Sequence, residues 1–337
     1  MTIPLWVVLP GGVDDPATPS GGNRYDRAVC DRLAGSRDVH EIAVFGGWPR
    51  PSSSESGALA RALADIPDKS TVLIDGLVGC GVPEILEPEA NRLRLVVLVH
   101  LPLGDEGSSA ADLVPLERRA LHAAAQVVAT SAGAARRLIE LHDLPPDRVF
   151  VAPPGVDRAP VAAPSAGGGR LLCVAAVTHR KGQDVLVEAL RQLDDLSWTC
   201  TFVGANDGSR KDSARVRYAG PRTGDDLDAS YAEADLLVLP SRAETYGMVV
   251  TEALARAIPV LGTQVNGVPE ALGAAPDGTV PGLLVPPGDP DALARALRDW
   301  LTDPDLRQRW RAAALARRET LRDWDFTTRL LNEVLDA

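Results

Sequence analysis

Ala234-Asp235-Leu236-Leu237-Val238-Leu239 runs directly into Pro240-Ser241-Arg242-Ala243-Glu244-Thr245-Tyr246-Gly247-Met248-Val249-Val250-Thr251-Glu252-Ala253-Leu254. The apolar run to Leu239 reads as a buried strand. Gly247 breaks the local pattern, and Met248 to Arg256 reads as a helix that Pro259 stops. Two glutamates thus fall eight positions apart across a strand-loop-helix junction, Glu244 in the loop and Glu252 in the first turns of the helix. Free backbone N–H groups at a helix start attract anions, and carboxylates accept hydrogen bonds from hydroxyls. A ligand that is both phosphorylated and rich in hydroxyls is implied, and nucleotide-sugars fit that description.

Working outward, the same alternation recurs. Strand-like runs at Leu5-Leu9, Glu41-Phe45, Thr71-Ile74, Leu95-Val99, Val127-Thr130 and Val149-Ala152 are separated by helical stretches such as Tyr25-Leu33, Ala58-Ile66 and Leu113-Ala124. This is the pattern of a doubly wound parallel sheet. A Pro/Ala/Gly-rich segment over 159–169 divides the chain. Beyond it the pattern restarts with Leu171-Val177, a helix at Gln183-Leu193, then Thr199-Val203, Val216-Tyr218, Leu236-Leu239, Val260-Gly262 and Gly282-Val285. Two domains are expected, residues 1–158 and 170–321.

Composition is consistent with that division. At 337 residues the chain is long enough for two cores of ordinary size. Hydrophobic residues make up 45% and mean hydropathy is near zero, and no apolar run approaches the roughly 18 residues that cross a bilayer. The start, Ile3-Pro4-Leu5-Trp6-Val7-Val8-Leu9, lacks a basic leader and reads as a first strand, so the cytoplasm is the expected location. Cys30, Cys80, Cys173 and Cys200 are scattered without metal-ligand spacing and read as reduced, mostly buried thiols. A net charge of −11 argues against nucleic acid as a partner. Only Arg118-Arg119 and Arg136-Arg137 offer a basic patch on an N-terminal helix, so peripheral contact with a membrane is the most that composition allows. Basic residues are overwhelmingly arginine. Of the three lysines, Lys69, Lys181 and Lys211, Lys181 stands out beside a glycine at a strand end.

The stretch from Glu244 to Glu252 resembles the glutamate-x7-glutamate signature of the group 1 family of retaining glycosyltransferases. The resemblance extends to Ser20-Gly21-Gly22-Asn23, Pro154-Gly155-Val156-Asp157, His179-Arg180-Lys181-Gly182, Tyr231 with Ala234-Asp235, Gly267-Val268-Pro269-Glu270 and Gly282-Leu283-Leu284-Val285. It implies the GT-B fold, an α/β architecture of two Rossmann-like doubly wound domains facing a central cleft. It also implies a last helix, about 322–337, that crosses back to the first domain. The implied activity is metal-independent transfer, with retention, of a sugar (of the hexosyl type) from a nucleotide-diphosphate-sugar to a hydroxyl acceptor. The sugar nucleotide is a co-substrate and no cofactor is expected. Aromatic residues at only 4% offer no stacking platform for a long glycan, which favours a small acceptor.

Residue by residue, the resemblance assigns Glu252 to the ribose hydroxyls and Glu244 to the hydroxyls of the donor sugar. Backbone amides of Tyr246, Gly247 and Met248 go to the sugar and diphosphate, and Lys181 to the leaving diphosphate as it gains charge. Gly247 is expected to let the ligand approach closely. Gly21-Gly22, preceding a helix that starts near Asn23, would approach the diphosphate from the first domain, and His100, at the end of Leu95-Val99, would lie near the transferred sugar. Two positions depart from the family. Ala176 stands where an arginine is usual, so Arg180 or Arg242 must supply the second charge, and Ala257 stands where glycine is usual. A GT-B-fold epimerase or phosphorylase, or a non-catalytic nucleotide-sugar-binding protein, are the rival readings. No metal site is expected: Asp289-Pro290-Asp291 and Asp303-Pro304-Asp305 read as helix caps, and Asp226-Leu227-Asp228 as preceding a helix.

Overall fold

The computed structural model describes residues 4–15, 19–106, 108–206, 208 and 212–337, so Ile3 and Lys211 lie outside the described residues. It divides into two units, one formed by the residues up to Asp15 with Ser20–Gly155 and Trp324–Ala337, the other by Val156–Asp323 with Pro19.

The first unit is a six-stranded parallel sheet in the order β2-β1-β3-β4-β5-β6, with β1 Pro4–Pro10, β2 Asp38–Val44, β3 Thr71–Asp75, β4 Arg94–Val99, β5 Gln126–Ala129 and β6 Val149–Val151. Its central strands are apolar through most of their length, as β4 with Leu95, Val96, Val97, Leu98 and Val99 all buried, because helices cover both faces of a parallel sheet. β2 begins three residues before the apolar run suggested. It pairs with β1 alone, as an edge strand, and tolerates polar residues: His40 stacks on Trp6 at 4.4 Å, Glu41 accepts from Arg27 at 2.8 Å, and Asp38 is exposed. The helix Trp324–Asp336 packs on Gly21–Leu33. Trp324 meets Tyr25 edge-on at 5.7 Å, Arg37 reaches Asn332 (2.6 Å), and Arg32 pairs with Asp325 (3.0 Å).

The second unit repeats the architecture in the order β12-β11-β10-β7-β8-β9, with β7 Arg170–Val174, β8 Thr199–Val203, β9 Val216–Tyr218, β10 Leu236–Leu239, β11 Val260–Thr263 and β12 Gly282–Val285, again all parallel. β7 stops at Val174, three residues earlier than the apolar run through Val177. Beyond it the chain stays bonded to the β8 side through Ala175 N–H to Val203 O and Val177 N–H to Ala205 O. The segment over 159–169 is held to this unit: Ala162 N–H donates to Arg256 O, and Asp235 accepts from Ser165 N–H and Arg170 N–H at 2.7 and 2.9 Å.

Strand order fixes where a ligand belongs. In the second sheet the chain winds from β7 to one side, then returns to place β10 on the other side. The crevice at this switch point lies outside the carboxyl ends of β7 and β10, where doubly wound sheets bind ligands. In the first sheet the corresponding reversal falls between β1 and β3.

Candidate functional site

The two loops at the second switch point are 175–182 after β7 and 240–247 after β10, and their backbones are laced together. Arg242 N–H donates to Arg180 O at 2.8 Å, the Arg242 guanidinium donates to His179 O at 2.7 Å, and Arg180 reaches Ala243 O at 3.3 Å. Gly182 is required here twice over. Its φ is +67°, and a Cβ would lie 2.1 Å from Pro240 O. From β11, Thr263 donates to Ser241 O at 2.5 Å and fixes the base of the second loop.

This lacing brings Lys181 and Glu244 together as an ion pair, both mostly buried, with the Ser241 hydroxyl 3.4 Å from the same carboxylate oxygen. Glu252 is buried one turn into the helix Met248–Ala255. It accepts a 2.7 Å hydrogen bond from the fully buried Tyr231 hydroxyl. The Arg256 guanidinium lies over the Tyr231 ring at 4.6 Å, donates to Glu252 O and pairs with Asp228. The amides of Tyr246, Gly247 and Met248 meet no acceptor among the described residues. Gly247 has φ +87°, and a Cβ there would touch Leu239 (3.3 Å) and Glu244 (3.4 Å), so local backbone geometry and packing already demand glycine. Burial pushes the Tyr246 phenol up to about 12, helped by the charge of Glu270.

The structure separates the two arginines proposed for the second charge. Arg242 is committed to Asp184 through two bonds of 2.8 and 2.6 Å, and that pairing holds the Asp184 carboxyl below its ordinary value. Arg180 makes no ion pair among the described residues and has only its weak bond to Ala243 O. Ala176 is exposed, its carbonyl taken by the Gln183 amide at 2.9 Å.

In the first unit Gly21 and Gly22 are the opening residues of the helix Gly21–Leu33 and not a loop before it. Ser20 caps them by accepting from Asn23 N–H, and this cap moves the start two residues forward. Gly22 lies against His100, where a Cβ would come within 3.1 Å of the ring. His100 Nε2 is 2.7 Å from Asp26 Oδ1, and Tyr25 approaches its ring edge-on at 5.1 Å. Sequence reasoning missed Asp26 and Asp75, whose carboxylates, with His100, place three potential ligand atoms within 4.8 Å of one another. Burial opposes a charge on His100, but the Asp26 carboxylate outweighs it and raises the imidazole to about 9.

Other expectations resolve more simply. Asp289 and Asp303 cap the helices Pro290–Thr302 and Pro304–Arg318, whereas Asp226 and Asp228 lie inside the helix Gly224–Ala232. Arg118, Arg119 and Arg137 each face a carboxylate, of Asp143, Glu87 and Asp105, so they do not form a bare basic patch. All four cysteines are buried and unpaired. No helix among the described residues is long and apolar enough to cross a membrane. Grooves of about 490 and 530 Å³ on the second unit contain none of Lys181, Glu244 and Glu252. The first of them, bordered by Asp235, Pro259 and Arg311, sits at the amino ends of β10 and β11, the wrong end of the sheet for this class of site.

These features define an α/β protein with a switch-point site built from cations, carboxylates and free amides. Known proteins place it further. The family model described as "Glycosyl transferases group 1" matches residues 163–317, and that of "Glycosyltransferase Family 4" matches 17–159. A D-inositol 3-phosphate glycosyltransferase of Catenulispora acidiphila is 31% identical over 86% of this chain and 80% of its own length. A 2-deoxystreptamine glucosyltransferase of Streptomyces kanamyceticus is 28% identical over 89% and 83%. Among solved structures, a sucrose-phosphate synthase from Thermosynechococcus elongatus superposes with a TM-score of 0.75 at 20% identity, covering 99% of this chain and 98% of its own. Anabaena HepE in complex with UDP and glucose superposes at 0.73 and 18% identity, over the whole of both chains. The chain belongs to the group 1 glycosyltransferases and has the GT-B fold.

Proposed function

We propose that the protein is a retaining, metal-independent glycosyltransferase. It moves a hexosyl group from a uridine-diphosphate-type sugar donor to a hydroxyl of a small polyol. The observation that carries this reading is the pairing of Lys181 with Glu244 beside the free amides of 246–248, at the switch point of the second sheet. Glu252, steadied by Tyr231, takes the ribose hydroxyls; Glu244 takes hydroxyls of the donor sugar; Lys181 and Arg180 take the diphosphate. Binding of the diphosphate exchanges the Lys181–Glu244 pair for one cation–phosphate contact and one carboxylate–hydroxyl contact, so neither buried charge is left alone. The UDP and UDP-glucose named with HepE support the donor class. The cyclitol acceptors in the names of the similar transferases support a small, polyhydroxylated acceptor.

Among these groups none stands as a dedicated nucleophile, so front-face attack is the path we favour. The acceptor oxygen bonds to the anomeric carbon as the bond to the β-phosphate oxygen breaks, and the acceptor proton passes to that departing oxygen. Positioning and charge neutralisation supply the catalysis. A thermal-shift panel of nucleotide-sugars tests the donor assignment, since a ligand of the native state raises stability by RT ln(1 + [L]/Kd). Stabilisation by UDP and a UDP-sugar is expected; no response to any nucleotide-sugar would overturn it.

A further inference from the structure

Three side chains in the first unit come from three different βα junctions: Asp26 from the helix after β1, Asp75 from the end of β3, and His100 from just beyond β4. Asp26 is 1% exposed and Asp75 4%, whereas the His100 side chain keeps 17%. Asp26 Oδ1 holds His100 Nε2 at 2.7 Å, yet Asp26 Oδ2 is buried with no hydrogen-bond donor. An orphaned, buried carboxylate oxygen is costly, so something must supply it with a proton or a cation. Asp75, accepting from Leu77 N–H at 2.6 Å through one oxygen, is the group beside it. Two such neighbouring buried carboxyls do not both ionise. Burial first, and then the Asp26 charge, push Asp75 up to about 8. On the Asp26 helix, Tyr25 and Cys30 are driven upward by burial and by Asp26 and stay neutral, while Arg27 is paired with Asp14 and Glu41. His100 Nδ1 meets no partner among the described residues, and the side chain as a whole is not fully buried.

We propose that Asp26 and Asp75 are positioning residues for His100. Protonated Asp75 donates to Asp26 Oδ2, Asp26 Oδ1 accepts the Nε2 proton, and the imidazolium presents Nδ1–H as a fixed donor to an oxygen of a substrate bound at this unit. Its link to catalysis rests on the transferase reading, but its proton arrangement does not.

The two carboxyls therefore respond differently to the same isosteric change. An asparagine at 75 still donates to Asp26 Oδ2; an asparagine at 26 no longer carries the charge that holds the imidazolium. Histidine ring resonances followed by NMR against pH read this directly. In wild type and in Asp75→Asn, His100 is expected to stay charged beyond pH 8; in Asp26→Asn it should titrate at or below about 6.5. Steady-state kinetics with a UDP-sugar should show Asp26→Asn losing roughly tenfold or more in kcat/KM, and Asp75→Asn losing less. Equal loss of the His100 charge in both variants would overturn the arrangement. So would one equivalent of tightly bound Zn²⁺ in wild type that both variants lose, which would make the cluster a metal site. If no nucleotide-sugar is turned over, the NMR titration still decides the triad, and the transferase reading fails alone.

Discussion

The two switch points solve the same problem with opposite electrostatics. At the second, Lys181, Arg180 and Glu244 are held by loop backbones and by one exchangeable ion pair, with three amides left free beside them. At the first, buried Asp26 and Asp75 lie beside the part-exposed His100, whose Nε2 is 2.7 Å from Asp26 Oδ1. In the reading proposed above, the second trades partners with a charged ligand and the first keeps one group in one state.

That contrast can be broken most sharply at Lys181. Lys181→Ala is expected to lower kcat/KM by roughly 10²-fold or more, the loss typical of one preorganised charge contact. Steady-state kinetics checks it, and an unchanged kcat/KM would remove the diphosphate role. Arg180→Ala should cost more than Arg242→Ala, because Asp184 already occupies Arg242; the reverse order would give the second charge to Arg242.

Next in size is the division between the two glutamates. Glu252→Ala should weaken binding of free UDP by about 1.5–3 kcal/mol, or ten- to a hundredfold. Glu244→Ala should leave UDP binding near wild type and weaken only the intact donor. Calorimetry with UDP and a UDP-sugar separates them, and equal effects on UDP would abolish the distinction.

The first switch point predicts a pH signature in stability. His100, raised to about 9 when folded from 6.5 when unfolded, contributes stability that is full below pH 6.5 and lost as pH rises through 9. Asp75 acts in the same direction over a lower range: folded, it keeps a proton up to about pH 8 that the unfolded chain releases near 4, so stability falls as pH rises between them. Denaturant unfolding from pH 6 to 9 should show wild type losing stability more steeply than His100→Gln. Parallel curves would count against the raised histidine.

The smallest effect lies away from both sites. Ala257 has φ +56°, a left-handed conformation that costs an L-residue roughly 1–2 kcal/mol. Ala257→Gly, after the added unfolded-state freedom, should gain about 0.5–1 kcal/mol, or roughly 1–4 °C in Tm.

The same contrast explains what could be read in advance. Glu244, Glu252 and Lys181 lie in contiguous stretches whose strand-loop-helix order is visible in hydrophobicity, so their placement followed from the pattern. Asp26, Asp75 and His100 are separated by dozens of residues and meet only because the sheet winds β1, β3 and β4 side by side. Nothing local marks Asp26 as buried. Arg180 and Arg242 could not be ranked without seeing that Asp184, on the next helix, turns toward Arg242. Ala257 standing where the family usually has glycine says nothing by itself of the backbone; its φ of +56° shows that this chain adopts a left-handed conformation there with alanine. Edge pairing, in turn, explains why β2 extends through polar residues that periodicity left out.

The transfer reaction itself provides the most direct test. A UDP-sugar and a small polyol acceptor, incubated with the protein in excess EDTA, can be followed by NMR of the anomeric proton in the first product formed. The expected result is acceptor-dependent release of UDP and a product with the anomeric configuration of the donor. An inverted product, or turnover restored only by Mg²⁺ or Mn²⁺, would contradict front-face transfer at a site that relies on Lys181, Arg180 and free amides in place of a metal ion.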